Sequence, residues 1–474
     1  MAVARGWKVL AVCSIAVFLV SLDVTIVNIA FPEILDDFGT DRAALSWVLS
    51  GYNIAFAASL LTAGRLADRF GRRRIFFIGI WVFTVASALC GVAPSASTLI
   101  AARVLQAVGG ALIMPASLAL VLPEFPIERR SAAIGVWGAV GGLSAAAGPL
   151  LGATLIEPIG WRGLFFINAP VCALALVMGA RLLVESRDPT ATGLPDIFGA
   201  VLATSSVALL VLGIVQGEEW GWTASSTLVA FALGGLLLAV FLLRCWRADD
   251  PVLDLSLFRM RFFSVANASA LLFSVGFFAM IFVNVQFLTG VWGYSVTGAG
   301  LAFTPGPLAS AVVSAPAGRL ADRYGHRVVV VPGALLYALG IMLIVWRVPT
   351  TPDYWSTFFP ASMVSGVGVG LTIATIGSAS NAFLPPTRFA MGGAVNATVR
   401  QVGAALGIAV VVALLADLGV PGTDIGGTFD RVYTFIALTS LAAAGLMALL
   451  YRRPIAAVDP AAPPSDSAAA LAAH

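Results

Sequence analysis

Long apolar runs alternate with short polar connections along almost the whole chain. The runs fall near 9–31, 45–64, 75–93, 98–122, 132–156, 164–184, 197–216, 225–245, 263–290, 298–318, 328–346, 355–380, 397–417 and 432–451. About 20 such residues cross the hydrocarbon core of a bilayer as a helix. Lipid tolerates only helices or closed barrels, because every backbone N–H and C=O must find a partner within the protein. The pattern therefore predicts an all-α polytopic membrane protein of about 14 transmembrane helices. The first run is too long for the apolar core of a signal peptide and lacks a cleavage site, so it reads as the first helix. After the last run, residues 454–474 are rich in Ala, Pro, Ser and Asp. That composition predicts a disordered tail.

Composition agrees and removes several functional classes. Of 474 residues, 59% are hydrophobic and 11% charged, with a net charge of +3. A soluble domain carries about 25% charged residues, so no sizeable soluble domain is expected. Lys8 is the only lysine, which excludes a phosphate-binding Walker loop and Schiff-base chemistry. His326, read as a loop residue, and His474 are the only histidines. A buried histidine relay or histidine metal site is therefore not expected. Cys13, Cys90, Cys172 and Cys245 are scattered within apolar runs and read as free thiols. No enzyme activity, cofactor, metal or nucleic-acid partner is expected. With the amino terminus in the cytoplasm, only Arg42, Arg162, Arg347 and Arg431 fall outside, while Arg103 and Arg400 lie within or at the edge of spans. That bias places both termini in the cytoplasm of a multi-pass protein of the cell membrane.

One octamer occurs twice. Residues 64–71 (GRLADRFG) recur as 318–325 (GRLADRYG), differing only at Phe70 and Tyr324. Both copies read as cytoplasmic loops after the second helix of a six-helix series. The expected organisation is a six-helix bundle over 1–190, two inserted helices over 191–255, a second six-helix bundle over 256–453, and the tail. Repeated halves with a substrate site between them are a signature of secondary transporters.

The octamer loop, with Gly64, Asp68, Arg69, Gly71, Arg72 and Arg73, resembles the signature loop of the major facilitator superfamily. Further segments resemble its fourteen-helix drug:proton antiporter branch. These are 22–32 with Asp23, Thr25, Asn28 and Pro32; 99–111 with Arg103, Gln106 and Gly110; and 138–152 with Gly148 and Pro149. Trp161, Arg162, Phe166, Asn168 and Pro170 follow the same pattern, as does 286–305. The chain departs from cation-exporting members by lacking acidic residues within its later helices, except Asp417 at a helix end.

Asp23 is the principal candidate, a charge in an otherwise apolar run. A charge at bilayer centre costs about 2.5–3.5 kcal/mol on insertion scales, so it needs a partner, a wet cavity or a proton. It is the carboxyl best placed to carry a proton. The resemblance implies that Arg103 approaches Asp23 or its proton path. Arg400, at the start of the thirteenth helix, reads as snorkelling to the interface. Gly64, Asp68, Arg69, Gly71 and Arg72 read as a conformational gate, with Asp68 facing a helix amino terminus or an arginine across the halves. Asp322 and Arg323 would do the same for the second half, and the Gly-rich helix with Gly148 and Pro149 would be hinge and seal. Asn28, Trp47, Tyr52, Asn53, Asn284, Gln286, Asn381, Asn396 and Gln401 are candidate cavity residues.

The expected function is proton-coupled antiport that exports hydrophobic drugs or similar toxic compounds, by a protein acting as a monomer among membrane lipids. Export of an endogenous metabolite or lipid, or a non-transporting membrane sensor, are the alternatives.

Overall fold

The computed structural model describes residues 2–39, 42–187, 196–248, 251–349, 351–415 and 424–452. The predicted tail and Asp417 lie outside them. Among the described residues there are fifteen α-helices: α1 (Ala2–Phe38), α2 (Arg42–Phe70), α3 (Arg72–Gly91), α4 (Ala96–Val121), α5 (Arg130–Phe166), α6 (Asn168–Leu182), α7 (Ile197–Trp220), α8 (Ser225–Arg247), α9 (Arg261–Gly290), α10 (Val296–Phe303), α11 (Pro305–Tyr324), α12 (His326–Arg347), α13 (Phe359–Asn381), α14 (Phe389–Leu415) and α15 (Ile425–Leu450). Eleven helical segments among these residues are long and apolar enough to cross a membrane. The expected runs 45–64, 132–156 and 298–318 are not among them; 132–156 lies within α5, and the other two share a cause. Both belong to helices that continue into an octamer and carry its charges in their last turns.

Local chemistry explains most helix boundaries. Ser95 and Thr98 form a reciprocal capping box at the start of α4. Asp196 caps α7 by accepting from Gly199 N at 2.8 Å, and also pairs with Arg244 Nε at 2.7 Å, tying α7 to the end of α8. The tenth expected helix is broken into α10 and α11 at Thr304, just before Pro305. Proline lacks the N–H that would continue the ladder. Within α5, Gly160 has φ 65° and kinks the chain near its end, a conformation open to glycine.

Small residues let some helices approach to backbone contact. Gly79 of α3 faces Gly109 of α4, where an added Cβ would stand 3.0 Å from the Gly109 carbonyl. Gly333 and Gly340 of α12 meet Gly368 and Ser365 of α13 in the same manner. The α3–α4 and α12–α13 pairs thus pack through the same device. The α7–α8 pair leans on α2 and α14 through α7. Leu228, Val229, Leu236 and Trp246 of α8 are exposed, the surface that lipid requires.

The octamers are not loops. Each completes a helix, α2 or α11, and ends at a glycine of positive φ, Gly71 (108°) or Gly325 (95°). A side chain at Gly71 is excluded twice, since a Cβ would also stand 2.6 Å from the Glu185 carboxylate. Glu185 caps α3 by accepting from Arg73 N at 3.1 Å and Arg74 N at 3.0 Å.

Candidate functional site

Asp23 sits in the middle of α1 and is 2% exposed. Its carboxylate faces α4 and α6. Arg103 Nη1 donates to Oδ2, Gln106 Nε2 donates to Oδ1 at 2.9 Å, and Asn168 Nδ2 reaches Oδ1 at 3.3 Å. Arg103 and Gln106 are three positions apart on α4, hence on one helix face. Arg103 Nη1 also donates to Gln106 Oε1 at 2.7 Å, and its Nε reaches the Val48 carbonyl at 3.4 Å. The guanidinium carbon stands 4.1 Å from the centroid of the Tyr52 ring. Asn168 is steadied in turn by Ser87 Oγ at 2.9 Å, and Ser87 donates to the Phe165 carbonyl at 2.7 Å. The result is a buried ion pair with three further polar groups around it. Of the residues singled out from sequence, the structure brings together Asp23, Arg103 and Tyr52. Gln106 and Asn168 stand out in the sequence only as parts of motifs, and Ser87 carries no signal.

A second constellation closes the octamer end. Arg72 and Asp68, both almost fully buried, are paired through Arg72 Nη2 at 2.8 Å and Nε at 3.1 Å to Asp68 Oδ1. The other carboxylate oxygen accepts from Met391 N at 3.1 Å, in the first turn of α14, and Arg72 Nη2 also donates to the Pro386 carbonyl. A carboxylate is favoured at a helix start, where N–H groups are unpaired and the dipole is positive. Asp322 repeats the arrangement from α11: Oδ1 accepts from Ser131 N at 3.0 Å and Oδ2 from Ala132 N at 2.9 Å, in the first turn of α5. Arg69 lies beside the Phe70 ring and Arg323 beside Tyr324. Glycines make these contacts close. A Cβ at Gly64 would run into Ala394 and Ala390 of α14, and one at Gly318 into Ser131 of α5. Along α5, Gly135 faces Ser314 of α11, Gly138 faces Ala374 of α13, and a Cβ at Gly148 would strike Thr25 of α1.

Two histidine and arginine expectations are corrected here. His326 is the first residue of α12 and is buried. Its Nε2 lies 3.0 Å from Ser131 Oγ and 2.9 Å from Ser378 Oγ, so it ties α5, α12 and α13 together at the octamer end. Arg400 does not begin a helix. α14 starts eleven positions earlier, at Phe389, which places Arg400 near the middle of the helix.

The cavity candidates do not converge. Asn284 donates to Met280 Sδ at 3.0 Å and accepts from Tyr433 Oη at 2.9 Å, which makes it a link between α9 and α15. Asn381 bonds the Gly377 carbonyl and Ser380 of its own helix. Asn396 donates to Asn267 Oδ1 at 3.1 Å, a link between α14 and α9. Trp47 Nε1 lies 3.2 Å from the Gln216 side-chain amide on α7. Asn53 and Gln286 are exposed and Gln401 half-buried. The side chains of Asn28 and Pro149 lie outside the described residues.

The family model described as Major Facilitator Superfamily matches residues 13–258 and 265–472. The puromycin resistance protein pur8 of Streptomyces alboniger is 36% identical over 446 residues, covering 91% of this chain and 88% of that protein. The tetracenomycin C resistance and export protein of Streptomyces glaucescens is 35% identical over 418 residues, covering 87% and 76%. The multidrug resistance protein Stp of Mycobacterium tuberculosis is 32% identical over 403 residues, covering 85% and 74%. Among solved structures, the human organic anion transporter MFSD10 superposes with a TM-score of 0.68 at 19% identity, covering 93% of this chain and 99% of that one, a likeness of fold. With an all-helical fold, and relatives that confer drug resistance, the chain is a transport protein rather than an enzyme, and it belongs to the major facilitator superfamily.

Proposed function

We propose that this chain exports hydrophobic drugs or other small toxic compounds in exchange for protons, acting as a monomer by alternating access. The resistance and export functions of its relatives support the cargo class. The observation that carries the coupling is the buried Asp23–Arg103 pair. An ionised Asp23 needs Arg103, Gln106 and Asn168. A protonated Asp23 no longer requires the guanidinium, which keeps Gln106 Oε1, the Val48 carbonyl and the Tyr52 ring. Proton arrival thus changes how α1 is held against α4, and a ligand shifts a two-state equilibrium only through such a difference.

In this reading fourteen spans form two six-helix bundles, over 1–190 and 256–453, with the pair within 191–255 inserted beside them. The octamer end faces the cytoplasm of a cell-membrane protein and is closed here, so that the cargo path opens outward. Cargo leaves and Asp23 takes a proton from outside. The halves then tilt, Asp68 and Asp322 leave the helix starts they cap, and the proton is released inside as new cargo enters. A membrane potential supplies about 2.3 kcal/mol per charge per 100 mV, which sustains an appreciable concentration ratio across the membrane without ATP.

The test is efflux of ethidium from cells producing the full chain, with and without an uncoupler, beside an Asp23→Asn variant of equal expression and folding. Uncoupler-sensitive efflux that Asp23→Asn abolishes is expected. Efflux indifferent to the uncoupler rejects proton coupling, and absence of efflux for ethidium and a drug panel rejects the exporter reading.

A further inference from the structure

The membrane interior holds a second arginine whose surroundings are the reverse of those of Arg103. Arg103 is met by a carboxylate, an amide oxygen, a carbonyl and an aromatic face. Among the described residues, Arg400 is met by none of these. Its Nε is buried without a hydrogen-bond partner, and among the described residues no ion pair or hydrogen bond reaches its guanidinium. At 1.5 Å per residue it lies about 16 Å along α14 from Phe389, close to the middle of a core about 30 Å thick.

The direction of Arg400 follows from its neighbours at helical spacing. Positions 393, 396, 400, 403 and 407 form one stripe of α14. A Cβ at Gly393 would stand 3.1 Å from Leu118 of α4. Asn396 bonds Asn267 of α9 and lies beside Gly377 of α13. Gly403 and Gly407 press against Leu271 and Val275 of α9. The stripe therefore borders α4, α9 and α13, and Arg400 shares its face of α14. It remains half-buried rather than sealed.

A guanidinium is permanently charged and presents five donors in a planar fork. Where part of it is shut from water without an acceptor, as at the Arg400 Nε, it gains from a group that supplies one. We infer that Arg400 is the anchoring residue for an anionic oxygen group, a carboxylate or sulfonate, carried by the cargo itself. The inference rests on the exporter reading and narrows its cargo to amphipathic molecules with an acidic group as the preferred class. Such a group would complete in the second half the pairing that Asp23 gives Arg103 in the first.

The test uses two matched fluorescent probes, anilinonaphthalenesulfonate and its uncharged relative N-phenylnaphthylamine, titrated against purified full-length protein. Wild type is expected to bind the sulfonate more tightly than the neutral probe. Arg400→Gln should weaken sulfonate binding by about tenfold or more, the scale of a lost charge-assisted hydrogen-bonded contact, while the neutral probe loses far less. Arg400→Lys should lie between. Equal loss for both probes, no loss for the sulfonate, or a wild type that does not prefer the sulfonate overturns the inference. If Arg400→Gln does not fold, the probe preference of wild type and the sulfonate affinity of Arg400→Lys decide. Cells that expel ethidium by a protein indifferent to the sulfonate would sink this inference and leave the exporter reading intact. Sulfonate binding through Arg400 without efflux of any dye would do the opposite.

Discussion

Gly64 of α2 lies against Ala394 of α14 with no room for a methyl group between them. A Cβ at position 64 would stand 2.5 Å from that of Ala394 and 2.9 Å from the Ala390 carbonyl oxygen. Backbone cannot yield as a flexible side chain can, so Gly64→Ala must push α2 and α14 apart at the octamer end. Overpacking of this kind costs about 1–3 kcal/mol. The expected outcome is a protein that folds but favours the opposite opening. Efflux should fall sharply, and a single cysteine introduced at Ala394 should become reactive to a hydrophilic maleimide in the Gly64→Ala background. Unchanged efflux and an unreactive thiol would show that this contact does not hold the closed state.

Asp68 and Arg72 predict a non-additive double mutant. Both side chains are nearly inaccessible, so Asp68→Asn leaves a buried guanidinium without its counter-charge. Breaking one partner of a buried pair costs about 3–5 kcal/mol, whereas removing both can be nearly neutral. Asp68→Asn should therefore lower the melting temperature more than Asp68→Asn combined with Arg72→Gln. Additive losses in thermal unfolding of the four proteins of the cycle would contradict the pairing.

Tyr52 separates ring from hydroxyl. The ring lies under Arg103, while its hydroxyl oxygen is buried without a hydrogen-bond partner. Tyr52→Phe keeps the cation–π contact and removes the orphan group, so stability and efflux should hold or rise. Tyr52→Leu removes a desolvated cation–π contact worth about 2 kcal/mol and should lower both. The two variants are compared by melting temperature and by initial efflux rate, and equal behaviour would discount the ring.

Glu185 is predicted to matter for fold rather than transport. Its carboxylate accepts two backbone N–H groups at the start of α3. Loss of a helix cap costs about 0.5–2 kcal/mol, so Glu185→Ala should lower the melting temperature modestly while the surviving protein keeps its efflux rate per molecule. A variant of normal stability that fails to transport would reverse that assignment.

Much of this architecture was legible in the residues because lipid imposes simple demands. A carboxylate in an apolar run needs a counter-charge, a wet cavity or a proton, and the family resemblance implied Arg103 as the partner of Asp23. The duplicated octamer pointed to two related contacts, and Asp68 and Asp322 each found a helix start. What stayed hidden was rotational phase. Hydropathy locates a span but not the face on which an amide lies, so Asn284, Asn381 and Asn396 read as cavity residues although each is engaged by its own helix or a neighbouring one. Boundaries failed for a related reason. Residues 389–396 are apolar or small apart from Asn396 and are helical, so α14 begins before the expected run and Arg400 stands well inside it. Gly325 made His326 resemble a loop residue, when that glycine only turns the chain into α12. Gln106 was findable, since it stands one turn from Arg103.

The reciprocal grip of Asp68 on α14 and Asp322 on α5 restricts how the molecule can move. Each carboxylate holds a different pair of helices, so a swing that pivoted on one pair would free one clasp and leave the other fastened. In the proposed cycle, only a displacement that parts both pairs together would open this end. Such a passage would be nearly all-or-none, with half-released forms poorly populated and leakage through a partly open carrier suppressed by two small acids.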